Sequence, residues 1–281
     1  MPIFITSLNS GSNGNCYYIG NDTEAVLIDA GISCRETEKR MKRLGLSMAI
    51  VKAIFVSHEH SDHITGIPAL SKKYQLPVYI TDTTLISSGI PIDKHLVYSF
   101  HAHEAISIGG LTVMAFPKFH DASDPHSFMV SCNKINIGVF TDIGFTCKQV
   151  IRHFSKCHAA FLEANYCDDM LTKGRYPHFL KQRIRGDNGH LSNDQALDLF
   201  IRYKGHQLSH LILSHLSKNN NRPELVDRLF NEQAGSTKIV VASRYKETAV
   251  YCIDKTSQPV VMKKDRSSSQ VQLSLFENVE M

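Results

Sequence analysis

Short apolar runs broken by Gly, Asn and Asp dominate the first third of the chain. Ile3 to Leu8, Cys16 to Ile19 and Ala25 to Asp29 each read as a packed strand between turns. Ser33 followed by Glu36 has the pattern of a capping box and predicts a basic helix over RETEKRMKRL that Gly45 closes. The run AIFVS, residues 53–57, is short enough for a buried strand and stops at the polar cluster HEHSDH. Further strands are expected over 78–81, 106–108, 111–116, 128–132 and 135–141, with helical stretches near 64–74 and 146–156. Beyond these come a strand over 159–164, an irregular basic stretch, a helix capped by Ser192 with Gln195, and a strand over 211–214. A helix opened by Pro223 and strands over 239–242 and 250–253 complete the pattern. Two strand-rich halves with helices outside predict an α+β fold, a four-layer αββα sandwich over residues 1–255 with loops converging at one edge.

From Lys255 onward the sequence turns to Lys, Ser, Gln and Asp, too polar to bury, and a mobile tail over 256–281 is expected. The seven cysteines are scattered and show no C-x-x-C spacing, the usage of a cytoplasmic protein with reduced thiols. No apolar run approaches the roughly 20 residues that span a bilayer, so no membrane contact is expected. A net charge of +4 is too slight for a general polyanion coat but compatible with a local patch. The count out of line is 15 histidines, where a chain of this size ordinarily carries about half as many.

Three of them open the chemical reading. His58-Glu59-His60-Ser61-Asp62-His63 places four potential metal ligands within one short segment at a strand end. Imidazole with carboxylate suits Zn, Mn or Fe, and alternation along a loop lets His58 and His60 face one ion while Asp62 and His63 face another. Such a dinuclear site needs more donors, and His120, Asp142 and His215 each end a predicted strand. Asp29 ends LID in the same way and could brace the histidine loop through an imidazole or backbone N–H.

Together Asp29, HEHSDH, His120, Asp142 and His215 resemble the motif series of the metallo-β-lactamase fold over about residues 1–255. The resemblance implies two divalent metal ions, one on His58, His60 and His120, the other on Asp62, His63 and His215, with Asp142 bridging. The stretches SGSNGNCYYI, FHDASDP, LEANY, GHLSN and HLSKNNN are similar to the YycJ/WalJ subfamily, regarded as DNA nucleases, although Asn13 stands where Ser is expected. Glu163 and His190 lie where ribonuclease Z-like phosphodiesterases carry a Glu–His proton donor. A poor alkoxide leaving group needs such an acid, and a carboxylate on the imidazole favours its protonated form. The implied reaction is hydrolysis of DNA, of 5′-to-3′ exonuclease type, with a hydroxide held between the metals as nucleophile and Asp62, His190 and Glu163 as the catalytic residues.

Between Met170 and Gly186 no acidic residue occurs, while Lys173, Arg175, Lys181, Arg183 and Arg185 do. This patch could neutralise phosphates, with Tyr166, Tyr176 and Phe179 available to stack on unpaired bases. Mainly by resemblance, Ser10, Asn13 and Asn15, and Asn219 and Asn220 beside His215, are expected to bind flanking phosphates. In the tail, Gln272, Leu273, Leu275 and Phe276 resemble the Q-L-[SD]-L-F peptide with which bacterial replication and repair proteins dock on the sliding clamp. Competing readings are a ribonuclease of the same fold, a small-molecule thioester or lactone hydrolase, and a non-catalytic, clamp-tethered DNA binder. The sequence leaves the oligomeric state unknown.

Overall fold

The computed structural model describes residues 1–254 and the backbone of Val260–Val261. The chain runs β1 (Ile3–Asn9), β2 (Cys16–Gly20), β3 (Ala25–Ile28), α1 (Cys34–Arg43), β4 (Val51–Phe55), α2 (Ser61–Ile64), α3 (Ile67–Tyr74), β5 (Val78–Tyr79), α4 (Asp82–Ser88) and β6 (Val97–Tyr98). It continues through β7 (Ala105–Ile108), β8 (Leu111–Pro117), β9 (His126–Cys132), β10 (Ile135–Phe140), α5 (Lys148–Phe154), β11 (Ala159–Glu163), α6 (Asp168–Lys173) and α7 (His178–Arg185). The last elements are α8 (Asn193–Tyr203), β12 (His210–Ser214), α9 (Pro223–Asn231), β13 (Lys238–Val241), β14 (Tyr251–Ile253) and β15 (Val260–Val261). One sheet has the order β15-β14-β1-β2-β3-β4-β5-β6, the other β13-β12-β11-β10-β9-β8-β7.

Alternation within each strand explains the four layers, because successive side chains point to opposite faces and both faces are apolar. Ile3 and Ile5, Tyr17 and Ile19, and Val26 and Ile28 point between the sheets, where they share a core with Phe128 and Phe161. The intervening Tyr18, Leu27 and Ile54 pack outward with Met41 of α1 and Ile67 and Leu70 of α3. On the other sheet Ala160, Leu162, Leu211 and Leu213 pack outward with Phe154 of α5, Phe200 of α8 and Phe230 of α9.

Direction follows from the connections. β3, β4, β5 and β6 are mutually parallel, as are β10, β11, β12 and β13, each needing a crossover that returns the chain to the same edge. β8 is antiparallel to β9, which is antiparallel to β10, so β8 also runs with this second group. The C-terminal ends of β3, β4, β8, β10, β11 and β12 therefore carry Asp29, HEHSDH, His120, Asp142, Glu163 and His215, respectively.

Several local expectations are refined. The Ser192–Gln195 box forms with both reciprocal bonds. At α1 only half forms: Ser33 Oγ accepts from Glu36 N, while the Glu36 carboxylate turns to Arg40 at 2.8 Å. The stretch read as irregular contains α6 and α7, and α4, capped by Thr81, was not evident from the apolar pattern. Past the expected boundary at residue 255, β15 pairs with β14. The peptide Gln272, Leu273, Leu275 and Phe276 lies outside the described residues. Among the described residues no helix is long and apolar enough to cross a membrane, and all seven cysteines are free.

His153, buried at the end of α5, stacks on Phe116 with ring centroids 4.0 Å apart. Burial, reinforced by Lys156 and Arg152, pulls its imidazole down to about 4. Unfolded histidine titrates near about 6.5, so the neutral ring contributes fully above that pH and its contribution fades as pH falls toward the folded value. His153→Phe, which keeps the stacked ring without a proton site, should lose less stability than wild type between pH 7 and pH 4 in denaturant titrations. Equal acid-side losses would contradict a neutral buried imidazole.

Candidate metal centre

Three loops are laced together at the common edge. A Cβ on Gly31 would stand 1.7 Å from the carbonyl oxygen of Asp62, so only glycine lets the turn after β3 pass the histidine loop. Backbone bonds lock the approach: Asn15 N donates to Asp62 O at 2.6 Å, Gly31 N to Asn15 O at 2.8 Å, and Ala30 N to His63 O at 2.9 Å.

Within this frame, fully buried Asp29 acts as a clamp. Its Oδ1 accepts from Ser57 N at 2.8 Å, and its Oδ2 accepts from Ser57 Oγ at 2.8 Å and His63 Nδ1 at 2.7 Å. That fixes the His63 tautomer and leaves Nε2 facing the cleft. His120 is held in the same manner, its Nδ1 donating to the Gly189 carbonyl at 3.1 Å. His58 Nδ1 lies 2.9 Å from Ser57 Oγ.

Two donor groups result. Facing nitrogens of His58 and His60 are 3.1 Å apart, and those of His60 and His120 are 3.4 Å apart. In the second group Asp62 Oδ2 is 3.6 Å from both His63 Nε2 and His215 Nε2. Asp142 stands between the groups, with Oδ2 3.2 Å from His63 Nε2 and Oδ1 3.8 Å from His120 Nε2. Within each group the donor atoms lie within 4.8 Å of one another. Asp142 Oδ2 and His215 Nε2 are buried and lack a hydrogen-bond partner among the described residues. Buried polar atoms are ordinarily satisfied, so orphans aimed into imidazole-carboxylate clusters fit borderline divalent cations.

Charge distinguishes the groups. Burial, and then the charge of His63, pushes the His58 imidazole well down, and burial takes His120 to about 4, so both are neutral donors at pH 7. Burial also disfavours charge on His63, but Asp142, Asp29 and Asp62 outweigh it and raise the imidazole to about 10. His215 is raised in the same way, chiefly by Asp142. Against the cost of burial, His63 and His215 hold the Asp62 carboxyl down at about 2.

A family profile described as "Beta-lactamase superfamily domain" matches residues 24–215. Exodeoxyribonuclease YycJ of Bacillus anthracis is 34% identical over 230 residues, covering 80% of this chain and 86% of the relative. This chain belongs to the metallo-β-lactamase superfamily. Within it, exodeoxyribonuclease WalJ of Streptococcus pneumoniae is 29% identical over 244 residues, covering 85% of this chain and 91% of the relative. The crystal structure of the metallo-β-lactamase fold protein YhfI from Bacillus subtilis superposes with a TM-score of 0.70 at 15% identity, over 90% of this chain and 100% of YhfI.

Beside the superfamily's metal edge, Glu163 and His190 come together, with His190 Nδ1 2.8 Å from Glu163 Oε1. Glu163 Oε2 also accepts from Ile143 N at 2.8 Å and Leu191 N at 3.2 Å. Burial opposes its charge, yet His190 and His215 hold the carboxyl down at about 2. Glu163 is thus an anion that orients His190.

The expected phosphate binders divide. Asn13 and Asn219 are exposed, with Nδ2 donating to the Arg244 carbonyl at 2.9 Å and to the Tyr176 hydroxyl at 3.0 Å, respectively. Ser10, Asn15 and Asn220 are buried, and their polar atoms are engaged within the protein. Ser10 Oγ accepts from His215 N at 2.8 Å, and Asn15 Nδ2 donates to Asp62 Oδ2 at 3.1 Å, so these two brace metal donors. The Asn220 carbonyl accepts from Cys167 N. Tyr166 is buried against the start of α8 and is not available to stack on a base. Arg183 is paired with Asp121, Arg185 Nε with Asp168 Oδ1 at 3.1 Å, and Lys181 Nζ with the Thr172 carbonyl at 2.8 Å.

Other contributors escaped the sequence reading. Ser57 joins Asp29 to His58, and Asn165 Nδ2 donates to the His215 carbonyl at 2.8 Å. Buried Lys118 donates from Nζ to the Thr141 carbonyl at 2.7 Å, steadying the turn that carries Asp142. Their signal is position alone: Ser57 directly precedes HEHSDH, and Lys118 lies two residues before His120.

Because metal must displace protons from His63 and His215 but not from His58 and His120, Zn uptake at the second group should tighten with rising pH, by about tenfold per unit per displaced proton. Chelator competition between pH 7 and pH 9 checks this, and a pH-independent second affinity would contradict the charge assignment. Asp29→Asn should weaken Zn binding by about 10- to 100-fold through loss of the His63 anchor.

Proposed function

We propose that this metal-dependent hydrolase cleaves phosphodiester bonds in DNA as an exonuclease acting 5′ to 3′. The observation that carries the reading is the Glu163–His190 pair beside the two donor groups, a proton donor that an alkoxide leaving group requires. The likeness to the proteins named exodeoxyribonuclease YycJ and WalJ supports DNA as substrate.

His58, His60 and His120 would hold one cation, Asp62, His63 and His215 a second, with Asp142 between them. Bound there, Zn, Mn or Fe ions would neutralise charge on a phosphoryl oxygen and make water a better nucleophile. The chain's own residues manage the protons. Asp62, an anion at the cleft surface, accepts a proton from attacking water, and Asn15 keeps its carboxylate in place. His190 gives its proton to the departing oxygen, oriented by buried Glu163, whose remaining bonds to Ile143 N and Leu191 N prevent it from turning away. Asn13 and Asn219 contact flanking phosphates.

The seven unpaired thiols favour a cytoplasmic setting. The QLSLF segment would tether the enzyme to the sliding clamp, which also favours DNA over RNA. Deleting residues 270–281 should abolish retention on clamp-coated beads, and retention of the truncated chain would refute the tether.

His60→Ala and Asp62→Ala should abolish cleavage of 5′- and 3′-labelled DNA while the chain remains folded. His190→Ala should lower kcat by about 10²- to 10⁴-fold. Matched RNA strands should be cut more slowly than DNA. Full activity in either metal-site variant would sink the assignment, and faster cleavage of RNA would move it to ribonuclease.

A further inference from the structure

The cleft beside the donors encloses about 340 Å³, and its two walls differ in chemistry. One wall presents the metal donors and His190. The other is the face of α7 with the turn before it: Tyr176, Leu180, Arg183 and Ile184. From sequence this segment reads as a phosphate clamp, yet the three cations of α7 are engaged within the protein. Arg183 pairs with Asp121, Arg185 with Asp168, and Lys181 with the Thr172 carbonyl.

What α7 turns toward the cleft is largely aliphatic. Leu180 and Ile184 are one helical turn apart, on one face. They belong to none of the three apolar cores, and no residue of α7 is buried. Each is only half-buried, so part of its apolar surface stays open to the cleft opposite the donors. Tyr176 extends the same wall, and Asn219 Nδ2 fixes its ring by donating to the hydroxyl at 3.0 Å.

We infer that Tyr176, Leu180 and Ile184 form a nucleobase subsite, which receives the flat face of the base next to the scissile phosphate. This rests on the nuclease reading and deepens it. With the phosphate at the metal donors, sugar and base of the same nucleotide must lie against the facing wall. A wall of aliphatic and aromatic carbon covers the π-face that every base has, and its one hydroxyl is already bonded to Asn219. Recognition is therefore by the presence of a base and not by its identity.

The test uses cation-loaded enzyme and oligodeoxynucleotides that differ only in carrying a tetrahydrofuran abasic residue at the 5′ or the 3′ terminus. For the end that is attacked, kcat/KM should favour the intact strand by about 5- to 150-fold, the range that base stacking supplies. Leu180→Ser/Ile184→Ser should bring that ratio toward one. Anisotropy binding of the same strands to metal-free wild-type protein should show the same preference, independent of turnover. A wild-type ratio near one, or an unchanged ratio in the double variant, overturns the subsite. Failure of wild type to shorten any strand overturns the nuclease reading and the subsite with it.

Discussion

Two buried carboxylates organise the catalytic edge of this protein. Asp29 ends a strand of one sheet and grips Ser57 and His63 on the next strand's loop. Asp142 ends a strand of the other sheet, facing His120 and His215 of its own sheet and His63 across the seam. The attraction between these anions and the surrounding imidazoles joins the sheets at the end where their hydrophobic faces stop. Breaking such a buried pair by removing one member costs about 3–5 kcal/mol, because the surviving charge is left without compensation. The hydroxyl of Ser10 adds a neutral link, carrying the backbone of His215 on the loop after β1.

The backbone is bent to serve this arrangement. Asp29, Asp142 and His215 all have left-handed φ values, 60°, 56° and 56°. Non-glycine residues in that region cost about 1–3 kcal/mol each and gather where function requires them. Each follows a parallel strand, and each left-handed turn swings a side chain back over the sheet end. The fold thus commits backbone strain and buried charge to one edge, and the apolar layers elsewhere hold that edge together. Cations fit this balance: Asp142 Oδ2 and His215 Nε2 are among the buried atoms of the described residues that the protein's own hydrogen bonds leave unsatisfied.

The layers and the donors were legible in the sequence for the same reason. Short continuous apolar runs announce strands buried on both faces, and donors clustered at strand ends have no use in a core. Asp29, HEHSDH, His120, Asp142, Glu163, His190 and His215 come together as expected. The substrate side was less legible, because its meaning lies in partners remote in sequence. Arg183 meets Asp121 and Arg185 meets Asp168, so two cations of the basic stretch are paired and the helix turns Leu180 and Ile184 to the cleft. Ser10 and Asn15 read as phosphate donors in isolation, but burial turns them into braces for His215 and Asp62. The helices α6 and α7 were hidden by the absence of an apolar stripe, since neither depends on a broad buried face.

Two adjacent donor groups, each drawing on both sheets and with Asp142 between them, form the metal centre, and we propose that each takes one cation. Metal analysis of purified, Zn-reconstituted protein by mass spectrometry tests it most directly. Wild type should hold two ions per chain, and His58→Ala and His215→Ala one ion each. A wild-type content of one ion or none, or loss of both ions in each variant while the fold persists, would contradict it.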